Sequence, residues 1–249
     1  MVELKSDREI ALMREAGRIS AGALKLGGEA VEPGVSTREI DRIIRRYIES
    51  QGAKPSFLNY NGFPASACIS VNNEVIHGIP GQRILKHGDI VSIDVGAEFK
   101  GFHGDNAWTF PCGDISAEAQ RLLETTKEAL FEGIAQAKAG NRVGDIGHAV
   151  QRYAEARGYS VVRQFVGHGV GASLHESPDV PNFGMPGKGI RLMPGMTIAI
   201  EPMINAGTHE VSVLKDGWTT VTGDGSLSAH FEHSVAITAE GAVILTLPE

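Results

Sequence analysis

Apolar residues Ile10, Leu12, Met13, Ala16, Ile19, Ala23 and Leu24 recur at helical spacing behind Ser6-x-x-Glu9, a capping-box pattern. They predict a first helix ending near Gly27-Gly28. Pro33-Gly34 breaks the chain, and Ser36-x-x-Glu39 opens a second helix reaching Gly52, with Ile40, Ile43, Ile44, Tyr47 and Ile48 as its buried stripe. Residues 54–65, rich in Pro, Asn and Gly, read as a loop. Strands follow at 67–71, and at 89–99 and 102–110 around a Lys100-Gly101 turn. Helices return at 116–139, opened by Ser116, and at 143–157. Beyond Gly158 the pattern predicts strands at 160–175, 197–204, 208–214, 218–223, 228–238 and 242–247, joined by glycine-rich loops. These elements suit an α+β fold with a central antiparallel sheet and helices on one side.

The pattern occurs twice. Gly34, Glu39-Ile40, Arg46-Tyr47, Glu49 and Gly52 match Gly140, Asp145-Ile146, Arg152-Tyr153, Glu155 and Gly158, at a constant offset of 106 residues. Gly88 and Asp94 match Gly195 and Glu201 at an offset of 107. His77-x-x-Pro80 matches His175-x-x-Pro178, and His103-x-Asp105 matches His230-x-Glu232. Two halves, roughly 30–112 and 136–249, are therefore expected to pack about a pseudo-twofold axis as one domain spanning 1–249.

The repeated positions carry chemistry. Asp94, Asp105, Glu201 and Glu232 all fall within apolar strands, and no regular set of Lys or Arg accompanies them. One such acid would be read as a buried ion pair or a cap. Four in equivalent places call for cations, because an unpaired buried carboxylate is costly. With Lys100-Gly101 as the hairpin turn, Asp94 faces Ala107 and Asp105 faces Gly96. The two acids then share a sheet face as diagonal neighbours roughly 7–8 Å apart at the backbone, close enough for their carboxylates to meet at metals. Two metals in such a site sit roughly 3.5–4 Å apart.

His168 lies in Gly167-His-Gly-Val-Gly171, where flanking glycines leave the imidazole accessible as a ligand. His77 and His175 could be ligands, proton carriers or structural groups. His103 and His230 suit a supporting role as well as direct ligation. There is no His-Glu-x-x-His, no Gly-x-Ser-x-Gly and no Walker A lysine, and Gly167-x-Gly-x-Gly171 lacks dinucleotide spacing.

A net charge of −7 argues against nucleic acid as the main partner. Cys68 and Cys112 are the only cysteines, which suits a reducing cytoplasm and leaves no cysteine metal motif. The charged N-terminus is not a signal-peptide core, and no apolar run is long enough to span a membrane.

Taken together, Val75-Ile-His-Gly-Ile-Pro80, Ser92-Ile-Asp-Val-Gly96, His103-Gly-Asp-Asn106, Gly167-His-Gly-Val-Gly171, Leu174-His-Glu-Ser-Pro178, Ile200-Glu-Pro-Met203 and Ala229-His-Phe-Glu-His233 resemble the type I methionine aminopeptidases in their short bacterial form. The resemblance covers nearly the whole chain and implies the pita-bread fold. It implies a cytoplasmic hydrolase that removes the initiator methionine when the next residue is small. Two divalent ions (Co, Mn, Fe or Zn) would be held by Asp94, Asp105, His168, Glu201 and Glu232, with Asp105 and Glu232 bridging. A metal-activated water would attack the first peptide carbonyl. Glu201 would move the proton to the leaving amine, His175 would bond the scissile peptide, and His77 would assist near the substrate amide. Tyr60, Phe63, Cys68, Trp218 and the residues preceding His77 and His175 would receive the methionine side chain.

Phe57 and Leu174 depart from the family, which often has Cys and an aromatic there; both are apolar and compatible with methionine. A monovalent cation near Asn72, Glu74 and Ser228 is a further implication. The expected partner is the N-terminus of a nascent chain at the ribosome, and the expected state is a monomer. A proline-specific aminopeptidase or prolidase is the rival enzyme, although those usually carry an additional N-terminal domain. A noncatalytic protein of this fold that binds peptide or RNA is the rival from another class, although such proteins tend to lose ligands.

Overall fold

The computed structural model describes residues 2–248. Helix α1 (Asp7–Glu29) starts where its capping box places it: the Ser6 hydroxyl accepts the Glu9 N–H, and the Glu9 carboxylate accepts the Ser6 N–H at 2.7 Å. Helix α2 (Thr37–Ser50) buries Ile40, Ile44 and Ile48, with the Ser36 hydroxyl accepting the Glu39 N–H. Helices α3 (Ala117–Gln136) and α4 (Val143–Glu155) belong to the second half of the chain, α3 ending a turn earlier than its pattern suggested.

The segment expected as a loop at 54–65 holds a two-residue strand, β1 (Lys54–Pro55), and a 3-10 turn at Tyr60–Gly62. Strands β2 (Ala67–Val71) and β3 (Glu74–Ile76) precede the long hairpin of β4 (Ile90–Phe99) and β5 (Phe102–Pro111). The hairpin has the expected register, Asp94 opposite Ala107 and Gly96 opposite Asp105. Lys100 and Gly101 both take positive φ, 51° and 83°, as a two-residue turn requires.

The second half departs further from its pattern. The stretch at 160–175 is not one strand. It contains β6 (Ser160–Val161) and β7 (Gly167–Gly169), and β8 (Glu176–Val180) starts beyond it. Glycines carry no side chains for a period-two pattern, so alternation could not set the ends. The run at 197–204 divides into β9 (Thr197–Ile200) and β10 (Met203–Asn205) around Glu201-Pro202, because proline has no N–H for a ladder. Strands β11 (Val211–Val213) and β12 (Thr220–Thr222) follow. The run at 228–238 divides into β13 (Ser228–His230) and β14 (His233–Ile237), before β15 (Ala242–Ile244).

Among the described residues the strand ladders form four antiparallel sheets rather than one unbroken sheet. Helices α1 and α2 pack on β2, β4 and β5 through Ile19, Ile40, Ile44, Ile69, Val91 and Ile93. Helices α3 and α4 pack on β9, β10 and β14 through Leu122, Leu130, Ile146, Val150, Ile198 and Val235. Within the first core, the Ser20 hydroxyl of α1 donates to the Val95 carbonyl at 2.6 Å, fixing the helix over β4 beside Asp94.

Candidate metal centre

The carboxylates meet where β5 runs against residues 230–234. The Glu232 N–H donates to the Ala107 carbonyl at 2.9 Å, directly across the hairpin from Asp94. The Ser234 hydroxyl donates to the Asp105 carbonyl at 2.7 Å and accepts the Asp105 N–H at 3.1 Å. These bonds set Asp105 and Glu232 side by side although 127 residues separate them in sequence. The glycines beside His168 admit close backbone approach: a Cβ at Gly167 or Gly169 would collide with the carbonyls of Ala199 or Ser177. Strands β8 and β9 can therefore close on β7 and aim His168 at the acids.

Ligand atoms of Asp105, His168 and Glu232 all lie within 4.8 Å of one another. His168 Nε2 is 3.9 Å from Asp105 Oδ2 and 3.5 Å from Glu201 Oε1. Asp105 is 4% exposed and Glu232 2%. Asp94 Oδ1, Asp105 Oδ1 and Glu232 Oε1 are buried without a hydrogen-bond partner. Burial pushes the Asp94 carboxyl up to about 7 and that of Glu201 to about 8. Asp105 and Glu232 stand well above the usual carboxylate range, through burial and then the neighbouring acids. The basic groups beside Asp105 and Glu201 are histidines, His168 and His230, which burial disfavours from taking a charge. Orphaned carboxylate oxygens converging with one imidazole are the donor set of a divalent transition ion, so the residues fit a metal.

The imidazoles are prepared for lone-pair chemistry. Burial holds His168 down to about 3 and His77 to about 4, and it lowers His175 as well. His168 Nδ1 lies 2.8 Å from the Gly169 carbonyl, which can only accept. The proton is therefore on Nδ1, and Nε2 presents its lone pair to the acids. His175 Nδ1 is 2.9 Å from the Tyr60 hydroxyl, and the two rings stack. His77 holds a left-handed backbone, φ 59°, with its ring edge-on to Phe165 and Trp218. A non-glycine residue in that region marks local strain of the kind found at functional sites.

Every side chain expected at the site lines one cavity of about 530 Å³. Asp94, Asp105, His168, Glu201 and Glu232 gather at one part of it. Phe57, Phe63, Cys68 and Leu174 form an apolar wall, with Tyr60 and Trp218 packed against it. Burial and the nearby Asp94 push the Cys68 thiol well above its ordinary range, so it lines the wall as a neutral group. Asn61, Gln164, Phe165 and Val166 also line the cavity and were not singled out by the sequence. The available signal was their position, one residue beyond Tyr60 and immediately before the Gly167 loop. His230, buried with Nε2 unpartnered and 3.7 Å from Glu201 Oε2, also stands closer to the acids than its sequence pattern could decide.

The fold and this donor set define a metallopeptidase: the model of metallopeptidase family M24 matches residues 11–239. The chain is 54% identical over 246 residues to methionine aminopeptidase 1 of Bacillus subtilis (strain 168), and 56% identical over 247 residues to methionine aminopeptidase of Clostridium perfringens, covering 99% of each partner. The crystal structure of methionine aminopeptidase from Thermotoga maritima superposes with a TM-score of 0.98 at 43% identity, over the whole of both chains. Within family M24, the chain belongs to the methionine aminopeptidases, and its fold is the pita-bread fold. A prolidase from Pyrococcus horikoshii shares the fold alone, with a TM-score of 0.80 at 24% identity; the chain spans 64% of its length.

Proposed function

We propose that the enzyme removes the initiator methionine from proteins whose second residue is small, using two divalent ions held by Asp94, Asp105, His168, Glu201 and Glu232. The observation that carries this reading is the convergence of Asp105, His168 and Glu232 within 4.8 Å, with one buried oxygen of each carboxylate orphaned, beside an apolar wall. Bound there, the ions would lower the pKa of a shared water and polarise the first peptide carbonyl.

The chain's own residues do the remainder. Phe57, Phe63, Leu174 and Trp218 enclose the methionine side chain and exclude water from it. The substrate's free α-amine meets the carboxylates, which restricts cleavage to the first bond. The neutral His175, steadied by Tyr60, bonds the scissile peptide. His77 stands near the substrate amide and assists proton transfer. Glu201, placed between His168 and His230, passes a proton to the leaving amine. The rings of Phe165 and Trp218 stand edge-on to His77 and would crowd a large second residue beside it, which favours a small side chain.

The organisation we propose is a single catalytic domain over 1–249, with related halves at roughly 30–112 and 136–249. A monovalent cation near Asn72, Glu74 and Ser228 belongs to the same reading; the Ser228 N–H donates to the Asn72 carbonyl at 2.9 Å, which brings two of the three together. Action as a monomer on nascent chains in the cytoplasm completes it. Among the described residues no helix is long and apolar enough to cross a membrane.

The test is hydrolysis of Met-Ala-Ser, Met-Leu-Ser and Xaa-Pro peptides with added Mn, Co or Fe. Met-Ala-Ser is expected to exceed Met-Leu-Ser by about a hundredfold in kcat/KM, near the upper range of steric discrimination. Calorimetric titration is expected to give two ions per chain. Turnover of Xaa-Pro peptides alone, or saturation of activity and binding at one ion, would overturn the corresponding part.

A further inference from the structure

Behind His175 lies a buried ion pair that the proposed chemistry does not use. Lys5, in the segment preceding α1, puts Nζ 2.6 Å from Glu176 Oε2, with side-chain exposures of 3% and 14%. The Lys5 N–H also donates to the Gly195 carbonyl at 2.7 Å, so backbone and side chain both anchor the segment. The other Glu176 oxygen, Oε1, accepts the Ser173 N–H at 3.0 Å. Gly171 donates to the Ser173 carbonyl at 3.0 Å, and its own carbonyl accepts the His103 N–H at 2.9 Å. Glu176 sits opposite Gly169 in the β7–β8 ladder, next to His168. One carboxylate thus closes the turn that carries His175, and one lysine holds that carboxylate.

The last glycine of Gly167-x-Gly-x-Gly171 belongs to the same arrangement. A Cβ at Gly171 would lie 2.6 Å from Glu176 Oε1 and closer still to Lys5 Cε. Its φ is not positive, so the glycine is needed for space rather than for backbone conformation. The His175 ring in turn packs at 4.1 Å from the His168 ring, centroid to centroid, so the turn places His175 beside the candidate ligand.

We propose that Lys5 is a positioning residue for the reaction: through Glu176 it fixes the backbone of His175. The proposal rests on the reading of His175 as the group that bonds the scissile peptide. Without Lys5, Glu176 would be left as a charge with no counter-ion in a largely buried place. It would turn toward solvent and release the Ser173 N–H. Leu174, in the same turn, belongs to the methionine wall and would shift with His175, while the metal ligands would keep their places.

The experiment compares Lys5→Met, Glu176→Gln, the double variant, Gly171→Ala and His175→Ala as full-length, Mn-loaded enzyme. Displacing a reacting group by about an ångström from a distance costs up to about a hundredfold. Lys5→Met is therefore expected to lower kcat about ten- to hundredfold, with calorimetric Mn affinity within about twofold of the parent. Glu176→Gln and Gly171→Ala should do the same. The double variant should be no worse than the worse single one, since both remove one interaction. A role in folding alone would lower Tm and leave kcat per folded molecule unchanged. If His175→Ala loses kcat while Lys5→Met keeps it within twofold, the positioning role is overturned and the reading of His175 stands. If His175→Ala keeps kcat, both fall. Should Lys5→Met not fold, Glu176→Gln with unchanged kcat overturns the proposal.

Discussion

At the scale of single residues, His168 concentrates the site's logic. Its Nδ1 proton is tied to the Gly169 carbonyl, and the lone pair of Nε2 faces Asp105 and Glu201. Loss of an outer-shell partner typically costs ten- to a hundredfold in metal affinity, and a direct ligand costs more. His168→Ala is expected to weaken divalent-ion binding by at least about a hundredfold in calorimetry while leaving the far-UV spectrum intact; unchanged affinity would remove His168 from the ligand set. Tyr60 permits a second test. Its hydroxyl is 2.9 Å from His175 Nδ1, so Tyr60→Phe should reduce kcat several-fold, about the worth of one neutral hydrogen bond. An unaltered kcat would show that ring stacking alone steadies the histidine. The acids were legible in the sequence because Asp94 and Asp105 lie on strands otherwise fit for burial and Glu201 and Glu232 recur at the equivalent places, although these two fall at strand breaks. Gln164 and Phe165 were not, since they enter the cavity from a loop nearly ninety residues after His77 and share no repeat with it.

Elements were legible where a local device fixes them. Ser6 and Glu9 place the start of α1, and the Lys100-Gly101 turn sets the β4–β5 register residue by residue. They were not legible where the determinant is distant. The breaks at Glu201-Pro202 and Phe231-Glu232 free both acids from the ladder, and each depends on a neighbour elsewhere in the chain: Glu232 on Ala107, and the Glu201 carbonyl on the Asn182 amide. The packing of α1 on the hairpin is equally non-local. A Cβ at Gly104 would lie 2.7 Å from the Ala16 carbonyl carbon and nearer still to the Gly17 backbone, which cannot swing aside as a side chain could. Gly104→Ala should therefore push α1 off β5, costing roughly 1–3 kcal/mol. Because Gly104 adjoins Asp105, metal affinity should fall with it. Thermal unfolding and metal titration of the one variant check both effects, and a change in neither would mean that helix and hairpin have room to separate.

On the scale of the whole molecule, the protein joins its two cores at a place where four carboxylates are buried, and this makes its stability depend on what neutralises them. In the unfolded chain these acids titrate near 3.8 and 4.5, whereas in the folded chain Asp94 titrates near 7 and Glu201 near 8, with Asp105 and Glu232 well above the usual range. Between about pH 6.5 and 8 the folded, metal-free protein therefore binds more protons than the unfolded chain, so stability falls as pH rises. The buried histidines act oppositely. His168 and His77, held near 3 and 4, favour unfolding only below their ordinary 6.5, where the unfolded chain takes up protons. Above that pH the carboxylates dominate. Metal-free enzyme in chelator should lose at least about 5 °C in Tm between about pH 6.5 and 8, given roughly 2–4 °C per kcal/mol for a chain of this size. Saturating Mn should abolish the loss, because the ion replaces the protons as counter-charge and binds better once they have left. Calorimetric scans in the two conditions check this. A metal-free Tm that is flat or rising across that window would mean that the four acids are compensated by something other than protons or metal.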